Sequence, residues 1–233
     1  MKMFKTILIA VMAFATVGVS AQTVDEIVSK NLESMGGKDK LAALKSIIMS
    51  GNMTASGTDM AIIISKLHNV GMRMDLDIMG TANYQLFNNK SGWVFFPVMG
   101  MTEPKEMEAA QYKGSVNQLD AQGALYNYKE KGTTIELLGN EKVDGADAYK
   151  LKITYKNGHS ATLFIDTKTH RHVKSISKSV ANGQEVEVET TFGDFKQNAE
   201  GYWFPYSMTN AQGTISFDKI ETNVDIKESI FVN

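Results

Sequence analysis

The sequence predicts a mainly β (α+β) protein: an antiparallel meander of roughly ten strands, an N-terminal helix, and a second helix that lids or plugs the sheet. Three observations carry this. Several runs alternate apolar and polar residues with a period of two, the mark of strands with one buried face. Turn signals rich in Gly, Asn and Asp separate those runs at regular intervals. A capping box opens an amphipathic helical stripe close to the front of the chain.

The elements follow in order. Lys2 and Lys5 precede an apolar stretch, Ile7 to Val19, which ends in Val19-Ser20-Ala21. Small residues at the −3 and −1 positions before Gln22 predict an export signal cleaved after residue 21, and the stretch is too short for a comfortable membrane span. The remainder, 22–233, shows neither an internal repeat nor a low-complexity linker and reads as one domain exported to the periplasm, not lipid-anchored. Thr23 and Glu26 form the capping box, and Val24, Ile27, Val28, Leu32 and Met35 recur at helical spacing until Gly36-Gly37. A short helical stretch, Lys38 to Leu44, follows.

From there the period is two. Met72, Met74, Leu76 and Ile78 alternate with Arg73, Asp75 and Asp77, so Asp75 and Asp77 read as part of a hydrated outer surface. Tyr149, Leu151, Ile153 and Tyr155 alternate with Lys150, Lys152, Thr154 and Lys156, and Val186 and Val188 alternate with glutamates. Turns fall at Ser56-Gly57, Asn69-Val70-Gly71, Asn88 to Gly92, Asp144-Gly145, Asn157-Gly158 and Asn182-Gly183. Thr102-Glu103-Pro104 looks like a helix start, and Lys105 to Leu119 is helix-compatible, with Gly114 dividing it. About eight strands make a barrel that side chains can just fill, whereas about ten enclose more. The surplus must hold a helix, a ligand or both.

Composition narrows the function. Apolar residues make up 43% and charged residues 21%, which excludes a disordered tail and a polytopic membrane protein. The net charge of −2, or −4 without Lys2 and Lys5, gives no electrostatic case for nucleic acid. There is no cysteine, hence no disulfide, thiolate metal site or lipidated N-terminal cysteine. Of 14 methionines, nine lie between Met49 and Met107, interleaved with Ile62-Ile63-Ile64 and Trp93 to Met99. These stretches look apolar on both faces, so something covers each, and the segment after Pro104 is the obvious cover. Methionine adapts to varied apolar shapes. Ile62, Ile64, Met72, Met74, Leu76, Trp93, Phe95, Met99 and Met101 are therefore candidate linings of an apolar ligand cavity, although on the pattern alone an ordinary core is the plainer reading.

Catalytic chemistry has no foothold. His170 and His172 stand at i and i+2 without a third ligand nearby and read as solvated strand-end residues, while His68 and His159 fall in turns. No nucleophile elbow, phosphate loop, dinucleotide fingerprint or zinc-protease helix occurs. We expect no enzyme, no cofactor and no metal.

At this point the chain resembles the lipoprotein-sorting family, the LolA/LolB-like superfamily, in its Bacteroidetes-type branch. The opening 21–30 with Glu33 to Lys38 is similar to that branch's first helix and Gly-Gly-Lys turn. Met72-Arg73-Met74-Asp75 resembles its strand in which a basic residue precedes an acidic one. Asn88 to Pro97 resembles its Asp-Gly-Lys-x-x-Trp…Pro stretch, and Val143 to Leu151 and Gly201 to Pro205 its later hairpin and Gly-hydrophobic-Pro strand. The resemblance implies a half-open antiparallel barrel, closed by helices, whose cavity holds acyl chains of lipoproteins or other lipids. It also implies a monomer working between an inner-membrane ABC transporter and an outer-membrane acceptor. Lys66-Leu67-His68 stands where the carrier has its lid-controlling Lys-Arg-Pro, so the arginine is missing. Related folds sense envelope stress by binding a membrane regulator, which is the alternative role.

Overall fold

Among the described residues thirteen strands join in one antiparallel sheet, and the N-terminal helix packs on one of its faces. The computed structural model describes residues 22–181 and 184–233, so the signal segment and the Asn182-Gly183 turn lie outside the described residues. Helices α1 (Val24–Ser34) and α2 (Lys38–Ala43) precede β1 (Ser46–Ala55), β2 (Thr58–Leu67), β3 (Gly71–Ile78), β4 (Thr81–Asn88), β5 (Gly92–Phe95) and β6 (Lys105–Glu106). After α3 (Ala109–Ser115) come β7 (Thr134–Val143), β8 (Ala146–Thr154), β9 (Ser160–Asp166), β10 (His172–Ala181), β11 (Gln184–Gln197), β12 (Trp203–Asn210) and β13 (Gly213–Thr222). Strands neighbour one another in chain order, and β1 pairs with β13 to join the two ends of the meander. Edges β6 and β7 do not meet, so the sheet stays open.

The count exceeds the expected ten for a physical reason. β5 has four residues and β6 two, too short to display an alternation. The segment after Pro104 also differs from expectation: no helix starts there. Chain 105–106 pairs with Trp93 and Val94 as an edge strand, α3 begins only at Ala109, and a tight turn of helix follows over Val116–Leu119. The break falls at Ser115, one residue after Gly114.

Other local predictions hold. Thr23 accepts from the Glu26 backbone at 3.3 Å while the Glu26 carboxylate accepts from Thr23 at 2.9 Å, closing the capping box. Ser56-Gly57 and Asp144-Gly145 take positive φ at both positions, the geometry of two-residue hairpins whose twist matches the strands. Met79-Gly80 makes the same turn, with a methionine at φ +53°. Nothing in Met-Gly announces this beyond the glycine.

Register assigns the faces. Leu151 and Ile153 are fully buried on the face that meets α1, and Lys152 is exposed on the other. There Ile27, Val28 and Leu32 pack on Leu151, Ile153, Leu163 and Ile165. We call this the inner face. α3 crosses it from the β4 edge toward β9 and β10. The Tyr112 hydroxyl donates to the Asn88 carbonyl at 2.9 Å, and Asn157 Nδ2 donates to Asn117 Oδ1 at 3.2 Å. That strap closes one end of the curled sheet. The opposite end, at the β1–β2, β3–β4 and β12–β13 turns, carries only a single helical turn, Pro97–Met99, among the described residues, where the Val98 N–H donates to Asn83 Oδ1 at 3.3 Å.

The outer face of β3–β5 has a cover that the sequence did not disclose: the C-terminal segment. Phe231 is buried against Gly71, where any Cβ would overlap its ring. Arg73 donates to the Ile230 carbonyl at 3.3 Å, pairs with Asp75 at 2.8 Å, and lies over the Tyr84 ring at 4.4 Å. The Arg73–Asp75 pair is thus partly enclosed by the tail rather than fully hydrated. Asp77, next on that face, is exposed.

Candidate functional site

The inner face of β1–β3, β12 and β13 forms an apolar trough. Its floor is Ile47, Ile62, Ile64, Leu76, Phe217 and Ile220, all buried. Around it lie Met49, Met53, Met72, Met74, Met208 and Ile215, each half-buried, with Phe96 and Tyr206 at the sides. The strands explain the alignment. Met49 pairs with Ile64 and Ile220, Met53 with Met60 and Ile215, Ile64 with Met74, and Ile215 with Met208, so one stripe of side chains runs across five strands. Half-burial is the informative property, because a packed core of this size leaves its members dry. Toward the strap end, Leu44 and Ala121 press on the face.

The sequence-named residues divide. Ile62, Ile64, Met72, Met74 and Leu76 share the trough. Trp93 and Phe95 do not: Trp93 pairs with Leu86 and Phe95 with Tyr84, which places both on the outer face. Phe95 packs on Tyr84 there, ring centroids 5.6 Å apart. Their inner-face neighbours are Val94, packed with Phe87 and Met107, and Phe96. Met99 stands out at 79% exposure in the turn after β5, and Met101 folds back so that its sulfur accepts the Phe96 N–H at 3.1 Å. Ile63, like its neighbours in an apolar triplet, is 45% exposed on the outer face, so that triplet is not buried on both sides. Sequence reasoning missed Met49 and Met53, whose alternation through β1 is legible in hindsight. It missed Met208 and Ile215 because only the β1–β13 pairing brings them in.

The strap end is polar. Asp120 receives Lys131 at 2.5 Å, and His68 Nδ1 lies 3.5 Å away. His68 Nδ1 also accepts the Ala121 N–H at 3.2 Å. Lys66, on the inner face between Ile47 and Met72, points into this region. Burial pulls its ammonium down to about 8, only partly opposed by the charge of Asp120. Burial likewise lifts the Tyr155 phenol to about 12, with Asp120 adding to it. Beside them lies a cleft of about 360 Å³ lined by Asn69, Asn117, Asp120, Lys131, Thr133 and Tyr155. A second cleft of similar size lies between α1 and residues 127–130. Neither is lined by the methionines.

The histidines need one correction. His172 is not a solvated strand end: its ring rests on Phe192, centroids 4.7 Å apart, Nε2 bonds the Lys174 carbonyl at 2.8 Å, and burial pulls its pKa to about 4. Among the described residues no three His, Cys, Asp or Glu side chains gather as a metal site, and no helix is long and apolar enough to cross a membrane.

No protein-family model matches the chain, and no curated protein matches it by sequence. Solved structures do. A LolA superfamily protein from Nitrosomonas europaea superposes with a TM-score of 0.56 at 17% identity, covering 91% of this chain and 99% of that one. The fold is LolA-like. A DUF1329 family protein from Desulfovibrio piger gives 0.58 at 13% identity over 91% of this chain and 98% of its own. A domain assigned to outer membrane lipoprotein sorting, from Vibrio parahaemolyticus, gives 0.52 at 18% identity over 88% and 94%. The open antiparallel sheet described above is that fold, and in this chain the trough lies on the face that carries α1.

Proposed function

We propose that this chain is a non-enzymatic, periplasmic binding protein that holds acyl chains, in the first place those of lipoproteins, in its methionine trough and carries them toward the outer membrane. One observation carries the reading: a continuous apolar stripe across five strands is only half-covered by the protein itself. A contiguous apolar face that the chain covers only in part fits a binding site. The similarity to a lipoprotein-sorting domain supports the class of cargo.

The energetics fit a carrier. Burying roughly twelve methylenes gains about 10 kcal/mol gross. Half of the trough wall is already dry, so a bound chain adds contacts chiefly on its upper side, and release stays within reach. Methionine side chains re-pack around different chains at little cost. The test is native mass spectrometry of protein purified from a periplasmic fraction without detergent, with the mature start expected at Gln22. The expected spectrum shows the polypeptide plus lipid. A spectrum of bare polypeptide, from protein that also fails to take up an apolar dye, overturns the reading.

A further inference from the structure

Among the described residues of β1–β3, β12 and β13, Lys66 is the one cation that the register places on the trough face; Lys196 borders that face from β11, opposite Phe204. The cross-strand partners of Lys66 are Ile47 and Met72, and the same face of β2 continues as Ile64, Ile62 and Met60. A hydrocarbon side chain in this position would complete the apolar stripe, whereas an ammonium there is desolvated by its surroundings. The acid that acts on it, Asp120, is already engaged by Lys131 at 2.5 Å and faced by His68 at 3.5 Å. Among the described residues no carboxylate lies within ion-pair distance of the Lys66 ammonium. The local balance is therefore cationic: Lys66 and Lys131 against one carboxylate. Nearby, Asn117 Nδ2 is buried without a hydrogen-bond acceptor.

We propose that Lys66 is the counter-ion for the anionic end of a single-chain amphiphile, a fatty-acid carboxylate, whose tail runs along the trough from the strap end toward the open end. The dimensions agree. From Lys66 to Met60 the β2 strand spans about 20 Å, the length of an extended long acyl chain. A charge-assisted hydrogen bond strengthens as water is withdrawn, and Lys66 is half-buried beside Met72, which packs in one cluster with Val116 and Leu119. The inference rests on the acyl-chain reading and moves its cargo from the ester- and amide-linked chains of a lipoprotein to a chain with a free acidic end.

The experiment is displacement of the neutral dye N-phenyl-naphthylamine by hexadecanoate, hexadecyl phosphate and hexadecanol, on the parent, Lys66→Met and Lys66→Arg. On the parent, hexadecanoate is expected to displace the dye at a concentration about tenfold or more below that of hexadecanol. Lys66→Met should abolish that preference while still binding dye and hexadecanol, which shows that it is folded, and Lys66→Arg should keep it. Hexadecyl phosphate reports the source of the charge: displacement weaker than by hexadecanoate supports a carboxylate site, and stronger displacement overturns it in favour of phosphate. Equal displacement by acid and alcohol, or a preference that survives in Lys66→Met, overturns the role of Lys66 and leaves the acyl-chain reading standing. A parent that binds neither dye nor any amphiphile overturns both.

Discussion

The two halves of the inner face begin from the same pattern and end in different states. Along β8 and β9 the alternating apolar residues meet α1, and Ile27, Leu151, Ile153 and Ile165 are all fully buried. Along β1–β3, β12 and β13 a similar alternation meets Leu44, Ala121, Phe96 and the edge of the strap, and the methionines stay half-buried. Side-chain chemistry follows the difference. The covered half uses branched aliphatics, which interlock in one arrangement. The uncovered half rings its aliphatic floor with unbranched thioethers, which accept several. An amphipathic helix completes one half of the inner face, and in the proposed function a cargo completes the other.

The largest expected effect breaks the covered half. Ile153→Glu places a carboxylate where no water and no cation reaches, against α1 and the β7–β9 floor. An unpaired buried charge costs several kcal/mol, a large fraction of the whole stability of a domain. The variant is expected to be unfolded at room temperature by circular dichroism, and a cooperative native-like melt would show that this half is not packed as described. The milder Leu151→Ala should lose about 2–5 kcal/mol in urea titrations.

A smaller effect sharpens the comparison at the boundary of the trough. Lys66 titrates near 8 in the folded chain against 10.5 for an ordinary lysine. Below pH 8 both folded and unfolded chains carry the charge, and the folded state bears the full desolvation cost, about 3 kcal/mol for a shift of that size. Between pH 8 and 10.5 the folded chain sheds its proton first, so parent stability rises relative to a variant without the amine. Lys66→Met should therefore be more stable than the parent at pH 7, with the gap closing as pH approaches 10.5. Denaturant titrations across that range check it, and a pH-independent gap would place the ammonium in water.

How much of this the sequence discloses depends on the distance over which each feature is built. The α1 stripe, its capping box, the Leu151/Ile153 alternation and the Asp-Gly and Ser-Gly hairpins are local and legible. So is the Met72/Met74/Leu76 half of the trough, which lies on one strand. The misassigned residues failed for a nameable reason. Trp93 and Phe95 belong to a strand with apolar residues on both faces, so alternation could not assign a side, and hydrophobicity favoured the larger side chains. The buried outer face that misled the reading is made by Phe231, at the far end of the chain, packing on Gly71. His172 is buried by Phe192 across a strand pair, again a partner that no local pattern names.

The smallest expected effect on stability is the one that decides whether the uncovered half is a site. Met74 lies on the trough face beside Ile64, half-buried, with solvent on its upper side. A glutamate there can keep its carboxylate hydrated by leaning toward the open end, since a charge costs little where water still reaches it. Met74→Glu is therefore expected to fold, with a melting temperature lowered by only a few degrees, yet to lose the apolar dye, because a chain lying in the trough would have to desolvate that carboxylate. Both tryptophans lie on the outer face, Trp93 beside Leu86 and Trp203 under Arg171 at 4.0 Å, so the added dye rather than intrinsic fluorescence must report binding. If Met74→Glu collapses as Ile153→Glu does, the methionines are ordinary core and the two halves do not differ. If it folds and binds dye as well as the parent, the apolar ligand lies elsewhere on the protein. Only the combination of a near-native melt and lost dye matches a face that is finished by its cargo.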